Sequence, residues 1–141
     1  MQYAQRSFSK LFLALFICVI AALSFQINTT YATTTYKKGY ASFNPYYQTK
    51  SFYLPKGTYT YKDKAKCKIH PVMGPNSYFV DLYKGNKRIK RILATNCYPQ
   101  EKSHSAKFTV SSGSYQLRFT KNKNTGYSKD YIYVTSYSIS K

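Results

Sequence analysis

Apolar and polar residues alternate with a period of two along much of this chain. Tyr78-Phe79-Val80-Asp81-Leu82-Tyr83 sets Tyr78, Val80 and Leu82 on one face. Phe108-Thr109-Val110 alternates, and Tyr115, Leu117 and Phe119 alternate with Gln116, Arg118 and Thr120. Between Tyr131 and Ile139 the same period puts Ile132 and Val134 on one side and Tyr131, Tyr133, Tyr137 and Ile139 on the other. β-branched and aromatic residues fill these runs, as a half-buried pleated surface prefers. Beyond residue 32 no stretch carries a 3.6-residue period. The predicted class is all-β, a small antiparallel β-sandwich of jelly-roll type.

The breaks between runs agree. Lys84-Gly85-Asn86-Lys87 predicts a tight hairpin, with Gly85 and Asn86 supplying positive φ. Pro55-Lys56-Gly57 and Ser111-Ser112-Gly113 read as turns, and residues 121–126 as a longer polar loop. Residues 33–49 lack clear periodicity and predict an irregular N-terminal arm or an edge strand. That leaves 50–141 as the sandwich domain.

The first 32 residues have a different character. Arg6 and Lys10 precede thirteen unbroken apolar residues, Leu11 to Leu23, and Thr30-Tyr31-Ala32 offers small residues for cleavage. As a helix the run would reach about 20 Å, short of the roughly 30 Å bilayer core. Residues 1–32 are therefore expected to be a secretory signal peptide. Two cysteines follow it, Cys67 and Cys97. In an oxidising space the default is a disulfide between them, worth about 3–4 kcal/mol for a loop of this length.

One pattern occurs twice. Phe52-x-Leu54-x-x-Gly57-x-Tyr59 matches Phe108-x-Val110-x-x-Gly113-x-Tyr115 position for position. Two such strand–turn–strand units predict equivalent corners of a two-sheet sandwich. Together with Val80-Asp81-Leu82-Tyr83-Lys84-Gly85-Asn86, the second copy resembles the corner and strand motifs of bacterial pre-peptidase C-terminal domains. Those are secreted jelly-roll sandwiches akin to carbohydrate-binding modules. The resemblance covers residues 50–139 in outline and implies the fold and a non-catalytic binding habit. That family often binds calcium; this chain lacks clustered acids, so no metal is carried over.

Charge narrows the partner. The 22 Lys and Arg face only four acids, Asp63, Asp81, Glu101 and Asp130, for a net +18. Loss of the leader would remove two cations, Arg6 and Lys10, and no acid. Lys62, Lys64, Lys66 and Lys68 alternate with Asp63, Ala65 and Cys67. On a strand they would form one outward row with gaps of about 6–7 Å. Two explanations stand open: a stripe that meets an anion, or lysines guarding an edge strand. A second group, Lys84, Lys87, Arg88, Lys90 and Arg91, surrounds the Gly85 hairpin, with Ile89, Ile92 and Leu93 directed at the core. Tyrosine is abundant at 17, and tryptophan is absent. Tyr46, Tyr47, Tyr53, Tyr61 and Tyr127 are candidate exposed rings, suited to stacking beside lysine.

Catalytic chemistry is sparse. There is no nucleophile elbow, zinc signature, P-loop or carboxylate pair, and no cofactor motif. His70 and His104, with Glu101, are the parts a ribonuclease-like site would use. His104 falls in a polar segment that reads as a loop. The leading expectation is a secreted, non-catalytic protein that binds an anionic extracellular polymer or envelope surface, such as wall phosphate polymers, matrix polysaccharide or nucleic acid. The nine Lys and Arg of the two groups are the binding residues. The alternatives are an antimicrobial toxin acting on anionic envelopes, an enzyme inhibitor, and the histidine nuclease.

Overall fold

The computed structural model describes residues 33–141; the expected signal peptide lies outside them. The side chains of Ile69 and His70 also lie outside the description. Eleven strands follow one another. They are β1 (Thr35–Phe43), β2 (Tyr46–Gln48), β3 (Phe52–Leu54), β4 (Gly57–Cys67), β5 (Ile69–His70), β6 (Gly74–Pro75), β7 (Ser77–Lys84), β8 (Lys87–Asn96), β9 (Lys102–Val110), β10 (Gly113–Lys121) and β11 (Ile132–Ser140). One sheet has the order β1-β11-β4-β9. The other has the order β2-β10-β7-β8, with β3 also paired to β10, and β5 and β6 form a small separate ladder. All strand pairs are antiparallel. The class is the antiparallel β-sandwich that the period of two predicts.

Residues 35–43 form β1, a sheet edge hydrogen-bonded to β11 from Thr35 to Phe43. Phe43 is buried against Tyr78 and Phe119. The sandwich thus includes the segment before residue 50.

The repeated pattern is a structural repeat. β3 passes to β4, and β9 to β10, and each passage carries the chain from one sheet to the other. The copies pair with each other: Phe52 lies opposite Tyr115, Leu54 opposite Gly113, Gly57 opposite Val110 and Tyr59 opposite Phe108.

Alternation decides the core. Tyr59, Tyr61, Asp63, Ala65 and Cys67 of β4 point inward, and Tyr115, Leu117 and Phe119 of β10 face them. Because tyrosines supply much of this core, their hydroxyls need buried acceptors. Asp63 is one: Tyr61 and Tyr78 donate to its Oδ2 at 2.7 and 2.9 Å. Cys67 and Cys97 form the disulfide, Cα atoms 5.7 Å apart. It ties the end of β4 to the residue after β8, and so one sheet to the other.

Three details depart from the sequence pattern. In β11 the register against β4 shifts between Val134 and Ser136. The bulge at Thr135 turns Tyr137 and Ile139 inward, so they join Ile132 and Val134 in the core. At the β7–β8 hairpin only Gly85 has positive φ, 57°, so Asn86 does not share that conformation. The turn fits the II′ pattern, where the first central residue alone needs it. Ile89 is exposed on β8, whereas Ile92 is buried.

Candidate binding faces

The outer face of the β2–β10–β7–β8 sheet is built by β10. Because Tyr115, Leu117 and Phe119 fill the core, Gln116, Arg118 and Thr120 point away from it. The register sets Arg118 opposite Asp81 of β7 on one side and Gln48 of β2 on the other. Arg118 Nε and Nη2 donate to Gln48 Oε1 at 2.8 and 2.6 Å. Its guanidinium lies 4.2 Å from the Tyr83 ring centre and 5.6 Å from that of Tyr46.

Asp81 extends the row to β8. Arg91 grips it with two parallel bonds, Nε to Oδ1 at 2.9 Å and Nη2 to Oδ2 at 3.2 Å. The Arg91 guanidinium lies 3.8 Å from the Phe79 ring centre, and Arg88 Nη1 is 3.9 Å from Asp81 Oδ2. The hydrogen bond to Asp81 raises the Arg91 pKa further. Gln48, Arg118, Asp81 and Arg91 therefore line up across four strands, over a floor of aromatic rings. Tyr46, Tyr83 and Arg88, with Asn122 to Asn124 at one end, help bound a hollow of about 480 Å³.

One β-bulge makes this row possible. Residues three apart on a strand face opposite ways. The β7–β8 register shifts between Val80 and Asp81 and again between Leu82 and Tyr83. The second shift absorbs Ile89, the extra residue between them, so Arg88 and Arg91 meet Tyr83 and Asp81 on the same outer face. Two guanidiniums, those of Arg88 and Arg91, thus pair with a single carboxylate, and Asp81 is only 3% exposed beneath them. With the Nε–Nη2 edges of Arg91 and Arg118 held by Asp81 and Gln48, the face offers their remaining guanidinium N–H groups and Arg88 to a carboxylate, sulfate or phosphate.

The two predicted basic groups do not merge. Arg88 and Arg91 belong to the face just described. Lys84, Lys87 and Lys90 are exposed about the hairpin. Lys62, Lys64 and Lys66 project from the outer face of the other sheet, and exposed Lys68 follows the end of β4. β4 lies between β11 and β9 from Gly57 to Ala65, so Lys62 and Lys64 guard no edge. For these two that explanation is overturned by the strand order.

Other side chains fall differently from their sequence pattern. Tyr46, Tyr47 and Tyr53 are exposed, while Tyr61 is fully buried on Asp63 and Tyr127 is intermediate. Tyr40, Tyr131 and Tyr133 are further exposed rings. His104 is within β9 rather than a loop. Its Nδ1 lies 2.8 Å from Asp63 Oδ1 and donates to it, and Tyr78 Oη is 3.2 Å away. His104 is thus part of the buried hydrogen-bond network under the sheet. His70 is placed by its backbone alone, paired with Gly74. Among the described residues, no three or more His, Cys, Asp or Glu side chains cluster as a metal would require. Arg118, Gln48, Tyr83 and Phe79 were not singled out from the sequence as site residues. The available signal was the polar half of β10, Gln116-x-Arg118-x-Thr120.

No protein-family model matches the sequence, and no curated protein matches it. Solved structures do. The chain is similar to the C-terminal CBM6 of LamC, a marine laminarinase from Zobellia galactanivorans. The two share 13% identity with a TM-score of 0.50, over 80% of this chain and 94% of that one. It is also similar to a structure described as CBM4, with 17% identity and a TM-score of 0.50, over 79% and 81% of the two chains. The protein has the carbohydrate-binding-module type of β-sandwich.

Proposed function

We propose that this chain is a secreted, non-catalytic module that holds an acidic polysaccharide on the Arg91–Arg118 face. The observation that carries this is the row of guanidiniums laid over Phe79, Tyr83 and Tyr46. Flat forks held on rings are preorganised, so little side-chain freedom is lost when an anionic group docks. Gln116 and Thr120 on the same face supply donors and acceptors for sugar hydroxyls, and the fold is one shared with carbohydrate-binding modules. The near absence of acids favours a charged polymer over a neutral one: of the four, Asp63 and Asp81 are buried and Glu101 pairs with Lys64. The narrower kinship with pre-peptidase C-terminal domains rests on the Gly113 corner and the Val80–Asn86 strand alone. Secretion rests on the leader, and a mature N-terminus near residue 33 would support it.

Binding to immobilised polygalacturonate, a neutral glucan, wall phosphate polymer and DNA tests the assignment. Polygalacturonate should be retained, with affinity falling steeply between about 50 and 500 mM salt as counterions compete. Arg91→Ala with Arg118→Ala should weaken retention at least tenfold, about 1.4 kcal/mol. Equal binding of the neutral glucan, or retention only on phosphate polymer or DNA, would overturn it.

A further inference from the structure

We infer that the protein also cross-links its polymer, holding a second segment of the same acidic polysaccharide on the outer face of the β1–β11–β4–β9 sheet. This rests on the acidic-polysaccharide assignment for the first face. The register builds the second face as a lattice. Lys38 of β1, Ser138 of β11, Lys62 of β4 and Ser105 of β9 lie in one transverse row. Ser136, Lys64 and Ser103 form the next row, and Lys66 lies opposite exposed Tyr133. The short serines leave an open trough of about 440 Å³ between the long lysine chains.

Two physical facts separate this face from ordinary solvated surface. Lysine is disfavoured in strands, and three on an interior strand at intervals of about 6–7 Å repel one another. Edge protection does not account for Lys62 and Lys64, because β4 has a partner on both sides from Gly57 to Ala65. The carboxylate that pairs with the row is Glu101, 3.9 Å from Lys64 and shared with the Thr135 hydroxyl, an exposed pair of small energetic weight; Asp63 also lines the trough, but Tyr61, Tyr78 and His104 hold it from within. A chain of carboxylates would relieve the repulsion along the row, and the serine hydroxyls would donate to it.

The geometry then dictates two polymer segments. The Arg91–Arg118 face and the Lys62–Lys66 face look outward from sheets packed about 10 Å apart, in opposite directions. A straight polymer segment lying on one face cannot touch the other. Two sites that point away from each other on one rigid body join separate segments.

Light scattering of the purified chain mixed with polygalacturonate over a range of ratios is the test. Wild type should give a bell-shaped curve, with scattering lost when protein is in excess. Lys62→Thr/Lys64→Thr/Lys66→Thr should stay bound to immobilised polymer, with less than a tenfold loss of affinity, yet scatter at least fivefold less. A Lys50→Thr/Lys56→Thr/Lys129→Thr control of equal charge should scatter as wild type does. The inference is overturned if the β4 variant is folded, bound and still scatters fully, or if the control loses scattering equally. Wild type that binds without scattering overturns it and leaves the first face intact. Wild type that does not bind removes both assignments.

Discussion

Tyr59 and Tyr115 make the same hydrogen bond in the two halves of the sandwich. Tyr59 Oη donates to the Pro55 carbonyl at 2.7 Å and Tyr115 Oη to the Ser111 carbonyl at 2.8 Å, each four residues back. Both rings are buried and each pins the turn that switches the chain between sheets. Phe replacement removes the donor and leaves a turn carbonyl to find another. Tyr59→Phe and Tyr115→Phe should each cost about 1–2 kcal/mol. Urea unfolding checks this, and costs differing by more than twofold would argue against equivalent corners.

Asp63 is the electrostatic centre of the core. It accepts from Tyr61, Tyr78 and His104 while 3% exposed. Asp63→Ala strands three polar groups in the interior. A loss of about 3–5 kcal/mol is expected, on the scale of breaking a buried charged network. A denaturation midpoint within experimental error of wild type would refute this.

Lys121 shows how a cation is used inside this protein. Its ammonium donates to the carbonyls of Tyr127, Asp130 and Ser128 at 2.5, 2.6 and 3.2 Å. Desolvation lowers its pKa, opposed by the Asp130 carboxylate. Lys121→Met keeps the stem and removes the donors. The variant should lose at least about 2 kcal/mol through the orphaned carbonyls. Residues 122–131 should then be cut by protease before the rest of the chain.

Alkaline pH should unfold the protein through its tyrosines. Burial, then the Asp63 charge, raises Tyr61 and Tyr78 well above the ordinary 10.0, and burial moves Tyr137 to about 12. A raised folded pKa means stability is whole below pH 10 and is lost as pH climbs through the folded values. Lys121 acts with the opposite sign: its lowered pKa lets stability rise with pH just below 10.5. The tyrosines outnumber it. The melting temperature should fall between about pH 10 and 12, with tyrosinate absorbance appearing together with unfolding. Tyrosinate absorbance that develops fully while the fold persists would refute it.

Much of the architecture is legible from local pattern. Tyr78, Val80 and Leu82, and Tyr115, Leu117 and Phe119, point inward as their alternation predicts. The disulfide and the paired corners follow from two cysteines and one repeated phrase. The misplaced residues share a cause. Tyr137 and Ile139 lie beyond a β-bulge and Ile89 lies at one, and a bulge reverses alternation without a dependable sequence mark. Tyr61 and His104 were misjudged because their partner, Asp63, is a charged residue inside a core.

The sequence by itself determined most of the strands, the two-sheet class, the covalent tie and the scarcity of negative charge, because each depends on near neighbours or on composition. Tertiary structure alone decided where the charge lies. Strand order put β4 in a sheet interior, and cross-strand register set Arg118 and Arg91 in line through Asp81. Order and register are long-range pairings between segments that local periodicity does not connect. They place Arg88 and Arg91 on one outer face and Lys62, Lys64 and Lys66 on the opposite one.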